Sequence, residues 1–329
     1  MRITNGYFNV KFLYYSMIDE TTINNRYNAA YYVNNPCVSA DHHIRIIVQC
    51  DYGSVCKPLV SIIMPVHNQV EIVVQHLKAI LENTIDMMYE LIIILDSCSD
   101  GTEAAVLRFY ESELISNDGY PCVTNVLLLQ SDTPLFETCA DNIGFFCSSA
   151  PYSLEIQADM QMTDRGYNTR LMVPFLQRDD IIGVSGRCCH TFCQTAGIGK
   201  LGTHVETPLS QLPHIDTSCW YESETCNRGP LLLDNAKLRK LGFLDEVNYF
   251  LDDSDHDLFA RAFAQHGWAC GYVPINFNAY LFHGSTRKPR NAINQKYYEL
   301  NKKTKTGNGF LKRYLSELHP VRSLVKHAL

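Results

Sequence analysis

The chain has 329 residues, of which 46% are hydrophobic and 19% charged, an ordinary globular composition that excludes general disorder. Its formal net charge of -7 argues against a general nucleic-acid binder, because neutralising phosphates needs a basic surface. The 13 cysteines form an odd number and no secretory pattern marks the N-terminus, so we expect reduced thiols in a cytoplasmic protein with one main domain.

Positive charge is concentrated near the C-terminus. Residues 287–329 contain 11 of the 28 Lys and Arg residues but only two of the 35 acids. Phe, Leu and Val recur there at near-helical spacing, which predicts a basic helical segment over residues 286–329. Such a segment suits either peripheral contact with an anionic membrane at its cytosolic face or packing as a closing helix. No apolar run in the sequence approaches the roughly 18 residues that cross a bilayer.

Strand and helix patterns alternate from residue 58 onward. Buried strands are predicted at PLVSIIMPVHN, YELIIILDSCSDGT, TNVLLLQ and YSLEIQADM, and helices between them at EIVVQHLKAILENT, EAAVLRFYES and ETCADNIGFFCSSA. The earlier stretch IRIIVQC, within an N-terminal extension over residues 1–57, fits one further strand. This alternation implies right-handed crossovers and an α/β fold, in which helices flank a mostly parallel central sheet.

Polar residues follow three of these strands at the point where each one ends. They are His67 and Asn68 after the first strand, Asp96 after the second and Asp159 after the fourth. Ligands of parallel α/β sheets bind beyond the carboxyl ends of the strands, so these residues are predicted to share one binding edge. Any one of them could serve as a helix cap, but the three positions together favour a ligand site.

The ordered blocks VSIIMPVHNQ, IIILDSCSDGT, ADNIGFF and YSLEIQADM resemble the opening of family 2 glycosyltransferases, which have the GT-A fold. The likeness runs from about Leu59 to His283. It implies a Rossmann-like domain over residues 58–285, with a nucleotide-binding half at 58–165 and an acceptor half at 166–285. In that family the first two strand ends hold the nucleotide base and ribose, which maps those contacts onto Pro65, His67, Asn68 and Asp96.

The family's fourth strand ends in an Asp-x-Asp motif that meets a metal ion and the diphosphate. Here the motif reads Gln157-Ala158-Asp159, so an uncharged amide replaces the first acid. The resemblance implies that Asp159 and His283 bind Mn²⁺ or Mg²⁺, with Gln157 close to the donor. Arg228, in the segment CNRGP that resembles the border of the sugar pocket, is predicted to reach a phosphate or a sugar hydroxyl.

The acceptor half of the family supplies a catalytic base from a Glu-Asp pair that precedes a helix. Aligned on DHDLFARA, that pair falls on Ser254 and Asp255, so the glutamate is missing. Asp255 is the predicted general base and Asp253 the second candidate. Asp252 and Asp257 lie close by in sequence, and mutual repulsion is expected to raise the proton affinity of at least one of these acids.

The resemblance implies a metal-dependent, inverting glycosyltransferase. Such an enzyme transfers a sugar from a nucleotide-diphosphate donor, commonly a UDP-sugar, to a hydroxyl group of a glycan, lipid-linked or protein acceptor. The missing acids at positions 157 and 254 also fit a nucleotide-sugar-binding or scaffold protein that has lost catalysis. A sugar nucleotidyltransferase is a further alternative, disfavoured because no Gly-rich, basic phosphate loop follows the first strand.

Overall fold

The computed structural model describes most of the chain. The described residues are 18–28, 43–116, 118–191, 199–202, 209–246, 248–249, 253–279, 310–311, 314 and 324–329. Two acids or ligands named from the sequence, Asp252 and His283, lie outside these ranges.

Four adjacent parallel strands form the centre of the fold. They are β2 (Val60–Val66), β3 (Tyr89–Asp96), β4 (Val123–Ser131) and β5 (Tyr152–Glu155), in the spatial order β4-β3-β2-β5. The crossovers between them contain α2 (Val73–Asn83), α3 (Thr102–Phe109) with a following π-helical turn (Tyr110–Leu114), and α4 (Phe136–Cys147). The alternation predicted from the sequence over this half of the domain is confirmed.

Among the described residues the central sheet has ten strands, in the order β1 (Ile44–Asp51), β4, β3, β2, β5, β12, β7, β13, β10 and β15 (Val325–Ala328). The outer strands on the acceptor side are β12 (Leu231–Asp234), β7 (Ile181–Ser185), β13 (Ala269–Tyr272) and β10 (Cys219–Ser223). Because β12 is antiparallel to both β5 and β7, strand β7 runs in the same direction as the central four. The carboxyl end of β7 therefore lies at the edge of the sheet where the predicted site residues follow β2, β3 and β5.

Smaller elements surround this sheet. A three-stranded sheet contains β8 (Cys188–His190), β9 (Lys200–Gly202) and β11 (Thr225–Cys226), and a two-stranded ribbon pairs β6 (Met160–Met162) with β14 (Phe277–Ala279). The remaining helices of the acceptor half are α5 (Tyr167–Gln177), α6 (Asn235–Leu241) and α7 (Ser254–His266), with a 3₁₀ turn at Leu209–Gln211.

The N-terminal region contributes to the main sheet. Strand β1 (Ile44–Asp51) pairs antiparallel with β4, and helix α1 (Glu20–Asn28) packs beside it. The Asn24 amide bonds to both the N–H and the C=O of Ile44, which ties helix to strand. The boundary predicted at residue 57 therefore does not separate an extension from the domain, because residues 44–51 complete one edge of its sheet.

The last residues of the chain form a strand, which corrects the helical prediction for this part of the basic segment. Strand β15 (Val325–Ala328) pairs antiparallel with β10. Lys326 lies 2.7 Å from Asp216, and the His327 ring stacks on Trp220 at 4.2 Å. An edge strand with exposed backbone groups attracts such pairing, which outweighs the helical spacing of the apolar residues. Among the described helices, none has the length and apolar character to span a bilayer.

The central strands are apolar on both sides because helices cover both faces of the sheet. On one face Ile62 and Met64 belong to a buried cluster with Leu77 of α2. On the other face Ile63 belongs to a second cluster with Ile143 of α4. Burial of both faces leaves polar side chains at the strand ends, which is where the candidate site lies.

Gly144→Ala is expected to lower the free energy of unfolding by about 1–3 kcal/mol. A Cβ atom at Gly144 would lie 2.2 Å from Cγ2 of the fully buried Ile63, so helix α4 would have to move away from β2. Gly119→Ala is the matched control, because no atom lies within 4 Å of the corresponding position there. Urea denaturation compares the two variants, and equal stability would contradict the packing of α4 on β2.

Candidate active site

The ends of β2 and β3 are joined by hydrogen bonds. His67 Nδ1 lies 2.6 Å from the carbonyl oxygen of Asp96, and Asn68 Oδ1 accepts the Ser99 N–H at 2.7 Å. Asn68 has a left-handed backbone with φ of 51°, which an Asn tolerates better than most residues. Pro65, His67 and Asn68 are half-buried. The structure thus brings together the four residues for which nucleotide contacts were predicted, and those contacts stay a prediction.

The Asp96 carboxylate faces the protein rather than an open pocket. It accepts the N–H groups of Leu135 and Phe136 at 2.6 and 3.0 Å, and the residue is only 6% exposed. Burial raises the pKa of Asp96, although these bonds oppose the rise. Its observed role is therefore to fix the loop that leads into α4.

The motif turn after β5 is held from two sides. Met160 donates its N–H to the Gln157 carbonyl at 2.9 Å, and His76 of α2 bonds to the Ala158 carbonyl at 2.6 Å. From α4, Glu137 Oε1 accepts the Gln157 side-chain N–H at 2.5 Å. Asp159 is half-buried in this turn. The acid that the motif lacks at position 157 is thus present nearby on another element.

Only one of the two predicted metal ligands lies within the described residues. Asp159 lies at the carboxyl edge of the sheet, as a metal ligand would, whereas His283 lies outside the described residues. Within the described ranges no three His, Cys, Asp or Glu side chains are arranged to hold an ion. The carboxylate oxygens of Asp159 fit a hard divalent cation, and the other ligands have to come from elsewhere.

Arg228 is buried among acids, and its predicted contact with a phosphate or a sugar hydroxyl stays a prediction. Its side chain is 3% exposed. The guanidinium lies 2.7 Å from Asp141 Oδ2 and 3.4 Å from Glu137 Oε2, both on α4. Burial works against the guanidinium charge, but the surrounding carboxylates outweigh it and raise the pKa of Arg228. Arg228 therefore acts as a buried counterion that joins the CNRGP segment to α4.

The turn after Arg228 approaches the motif closely. Glu155 at the end of β5 accepts the Gly229 N–H at 2.7 Å, and the Gly229–Pro230 peptide is cis. Gly229 has φ of 62°, and a Cβ there would lie 2.9 Å from Cγ of Gln157. Only glycine suits both the left-handed backbone and the contact. The turn thereby forms one wall beside the motif.

The buried cluster has more acids than bases. It comprises Arg228 and the carboxylates Glu137, Asp141, Glu155 and Asp255. Asp141 Oδ1 and Glu155 Oε1 are buried and have no hydrogen-bond partner among the described residues. Burial raises the pKa of Asp141 to about 7 against the attraction of Arg228, and it raises the pKa of Glu155 well above its usual value. The cluster therefore retains protons near neutral pH.

The contribution of Asp141 to stability should fall as the pH rises from about 4 to about 7. The pKa of Asp141 rises on folding from 3.8 to about 7, so within this window the folded state holds a proton that the unfolded chain has released. Below the window both states are protonated, and above it both are ionised. Asp141→Asn should flatten the decline, as measured by urea denaturation at several pH values. Parallel curves for the two proteins would contradict this view.

Asp255 lies in the first turn of α7 and is 5% exposed. Its Oδ2 accepts the Arg228 N–H at 3.0 Å and lies 3.4 Å from Asn227 Nδ2, while Oδ1 accepts the His256 N–H at 2.9 Å. Burial opposes its ionisation, but His256, Arg228 and the N–H bonds outweigh it and hold the pKa of Asp255 well below its usual range.

A raised proton affinity is predicted for at least one acid of this segment, and the pKa of Asp257 is raised, chiefly by burial, whereas the pKa of Asp255 is lowered. Among the described acids of this region, burial raises the pKa of Asp141, Glu155 and Asp257 instead. Asp253, the second candidate base, is half-buried at the start of α7 with φ of 64°. The positions of Asp255 and Asp253 do not test whether either residue acts as the general base, so both assignments stay predictions.

The sequence reasoning missed several residues of this region. Glu137 and Asp141 lie four residues apart on a mostly apolar helix, and that acidic pair was the available signal for the counterions of Arg228. Arg187 lies two residues after the end of β7, at the same sheet edge as the motif. His190 and Lys200 approach Asp255 through the pairing of β8 and β9, which no local pattern could show.

Comparison with known proteins supports the fold. No protein-family model matches the sequence, and no curated protein is similar enough to count as a relative. The structure of GalNAc-T7 with UDP, GalNAc and Mn²⁺ has a TM-score of 0.51 and 13% identity, covering 81% of this chain and 55% of that one.

Two further solved structures are similar at lower scores. The mannosyltransferase PcManGT from Pyrobaculum calidifontis, in complex with GDP-Man and Mn²⁺, has a TM-score of 0.47 and 15% identity over 91% of this chain and 80% of its own. TarS from S. aureus has a TM-score of 0.43 and 12% identity over 67% of this chain. The chain spans 36% of TarS and about half of GalNAc-T7. The likeness to GalNAc-T7 shows the fold: the chain has the α/β architecture of the GT-A glycosyltransferases.

Proposed function

We propose that this chain is a metal-dependent, inverting glycosyltransferase that transfers a sugar from a nucleotide-diphosphate donor to an acceptor hydroxyl. One observation carries the proposal. The ends of β2 and β3, the Gln157–Asp159 turn and the start of α7 with Asp255 all lie along one edge of a GT-A-type sheet. Ligands bind at this edge in α/β proteins, so donor and acceptor would meet there.

The donor is proposed to lie across the ends of the central strands. Its nucleotide would contact Pro65, His67 and Asn68, and UDP is the expected carrier. Asp159 and His283 would hold Mn²⁺ or Mg²⁺, an ion that neutralises the charge of the departing diphosphate when bound. The Gln157 amide is held by Glu137, so its remaining oxygen can accept a hydrogen bond from a donor hydroxyl.

Asp255 is proposed to accept the proton of the acceptor hydroxyl as it attacks the anomeric carbon. Its lowered pKa keeps it ionised at neutral pH, so it is always ready to accept a proton but is a weak base. Its hydrogen bonds to the Arg228 and His256 N–H groups fix its orientation. The acceptor would be a glycan, a lipid-linked or a protein hydroxyl, and the protein is proposed to act in the cytoplasm, in solution or at a membrane surface.

Turnover of a panel of UDP- and GDP-sugars with Mn²⁺ tests this function. We expect slow release of UDP or GDP by hydrolysis of the correct donor, and faster release when an acceptor is added. Chelation of the metal with EDTA should abolish both. Nucleotide-sugar binding without any turnover across the panel would contradict the proposal.

A binding or scaffold protein without catalysis is the second candidate. Ser254, where the family has a glutamate, is fully buried and bonded to Thr138. The uncharged Gln157 and the weakly basic Asp255 point in the same direction. Binding of the donor without turnover would select this candidate.

A further inference from the structure

A group of cationic and imidazole side chains lies beside Asp255. Lys200 and His190 are direct cross-strand partners on β9 and β8. His190 is also opposite Thr225 on β11, whose hydroxyl lies 2.8 Å from His256 Nδ1. The rings of His190 and His256 contact each other edge to face at 4.8 Å. This pairing aligns Lys200, His190 and His256 in a row that leads to Asp255.

Arg187 extends this row toward the motif turn. It follows β7, and the adjacent Gly186 donates its N–H to Pro230 at 2.8 Å, beside the Gly229 turn. The charges of Arg187 and Lys200 both act on the Cys188 thiol. Two permanent positive charges therefore act near the Cys188 thiol, which bonds to the Asn227 side chain that contacts Asp255.

The two cations, Arg187 and Lys200, lack acidic partners within the ranges that the structure describes. Arg187 is half-buried, and neither its guanidinium nor the Lys200 ammonium forms an ion pair within the described part of the chain. Arg187 Nε and His190 Nε2 are buried nitrogens without a hydrogen-bond partner among the described residues. Buried donors of this kind are normally satisfied, so an external acceptor would relieve a desolvation penalty.

The carboxylate of this region, Asp255, already accepts hydrogen bonds from neighbouring groups. Asp255 bonds to the Arg228, Asn227 and His256 groups described above. Burial, together with His256 and Lys200, outweighs the Asn227 hydrogen bond and the charge of Asp255 and lowers the pKa of His190 to about 4, so its ring is neutral without a ligand. An incoming anion would favour the protonated His190 ring, and both nitrogens of that ring would then be hydrogen-bond donors.

We propose that Arg187, Lys200 and His190 form a subsite for a phosphate-class oxyanion carried by the acceptor. The chemistry fits, because a guanidinium, an ammonium and an imidazole offer several charge-assisted hydrogen bonds to a tetrahedral oxyanion. The position favours the acceptor over the donor. Asn227 bonds to both Cys188 and Asp255, so the subsite adjoins the proposed base, across the Gly229 turn from the motif. The assignment to the acceptor rests on the proposed function, whereas the anion site itself does not.

Histidine NMR with inorganic phosphate as the probe tests the subsite without any turnover. The protein is labelled at histidine Cε1, and the His190 signal is assigned with His190→Gln. Phosphate added at constant ionic strength should shift the His190 signal saturably. Lys200→Met and Arg187→Met should each weaken phosphate binding about tenfold, the effect of one charge-assisted hydrogen bond. Lys200→Gln provides a second variant at that position, and circular dichroism confirms that each variant is folded.

Lys240→Met is the matched control, because Lys240 lies on α6, which begins at the opposite edge of the sheet. It should leave phosphate binding unchanged. A linear, non-saturable shift, or equal weakening by Lys240→Met, would overturn the subsite. With UDP and Mn²⁺ present, phosphate binding should persist. Displacement of phosphate by UDP would overturn the assignment to the acceptor, while absence of donor turnover alone would affect only the proposed function.

Discussion

Arg228→Met is expected to lower the free energy of unfolding by about 3–5 kcal/mol, because it removes the cation from a buried group of acids. Asp141 is fully buried and Glu137 is 14% exposed, so neither can regain full hydration when the guanidinium is gone. The carboxylates would then repel one another in a medium of low polarity. Urea denaturation at neutral pH measures the change.

Arg45→Met is the matched control for this prediction. Arg45 and Asp132 lie 2.7 Å apart, the same separation as in the Arg228–Asp141 pair, but their side chains are 38% and 57% exposed. An exposed pair of this kind contributes about 0–1 kcal/mol. The double variant Arg228→Met/Asp141→Asn should recover part of the loss, since one uncompensated acid is removed. Equal losses for Arg228→Met and Arg45→Met would show that Arg228 is not a buried counterion.

Asp255→Asn is expected to lower kcat by about 10² to 10⁴ while donor binding changes little. The amide keeps an oxygen that can accept the Arg228 N–H, so the local geometry should persist, but it cannot take the acceptor proton. Initial rates of sugar transfer with the best donor measure kcat, and calorimetric titration of the donor measures its affinity.

Asp253→Asn separates the two candidate bases. Asp253 is half-buried two residues earlier in the chain and lies in the same acidic segment, so its replacement removes one charge at a similar position. We expect a smaller loss of kcat than for Asp255→Asn. A large loss for Asp253→Asn with normal turnover by Asp255→Asn would reverse the two roles.

The central architecture was predictable because its signals are local. The runs at β2, β3 and β4 are continuous and apolar, as strands covered on both faces must be, and their helices show an apolar stripe. The meeting of His67, Asn68 and Asp96 at one edge follows from parallel topology alone. The family resemblance added the role of the Gln157–Asp159 turn, which periodicity does not reveal.

The remaining features depend on contacts that are distant in sequence. Strand β1 has an ordinary apolar pattern, but nothing in it specifies β4 as its neighbour. Strand β15 lies in a stretch with helical spacing and is stabilised by an available sheet edge. A buried Arg228 and an exposed one look alike in sequence, because the difference lies in Glu137 and Asp141 about ninety positions away.

The pKa of Asp255 illustrates the same limit. Counting acids in DDSDHD predicts repulsion and a raised pKa, yet the carboxylate receives N–H groups from Arg228 and His256 and lies near the charge of the Arg228 side chain. The direction of the shift is decided by what surrounds each oxygen. Asp141 and Glu155, whose pKa values burial raises, each have one buried oxygen that has no partner among the described residues.

Crystals soaked with Mn²⁺ and a UDP- or GDP-sugar test the central claim most directly. The account predicts an anomalous manganese peak at the Asp159 carboxylate, with the diphosphate against the ion and the base near His67 and Asn68. Asp159→Asn crystals treated in the same way should lose the metal peak. No manganese peak at Asp159, or a nucleotide bound away from the carboxyl ends of β2 and β3, would contradict it.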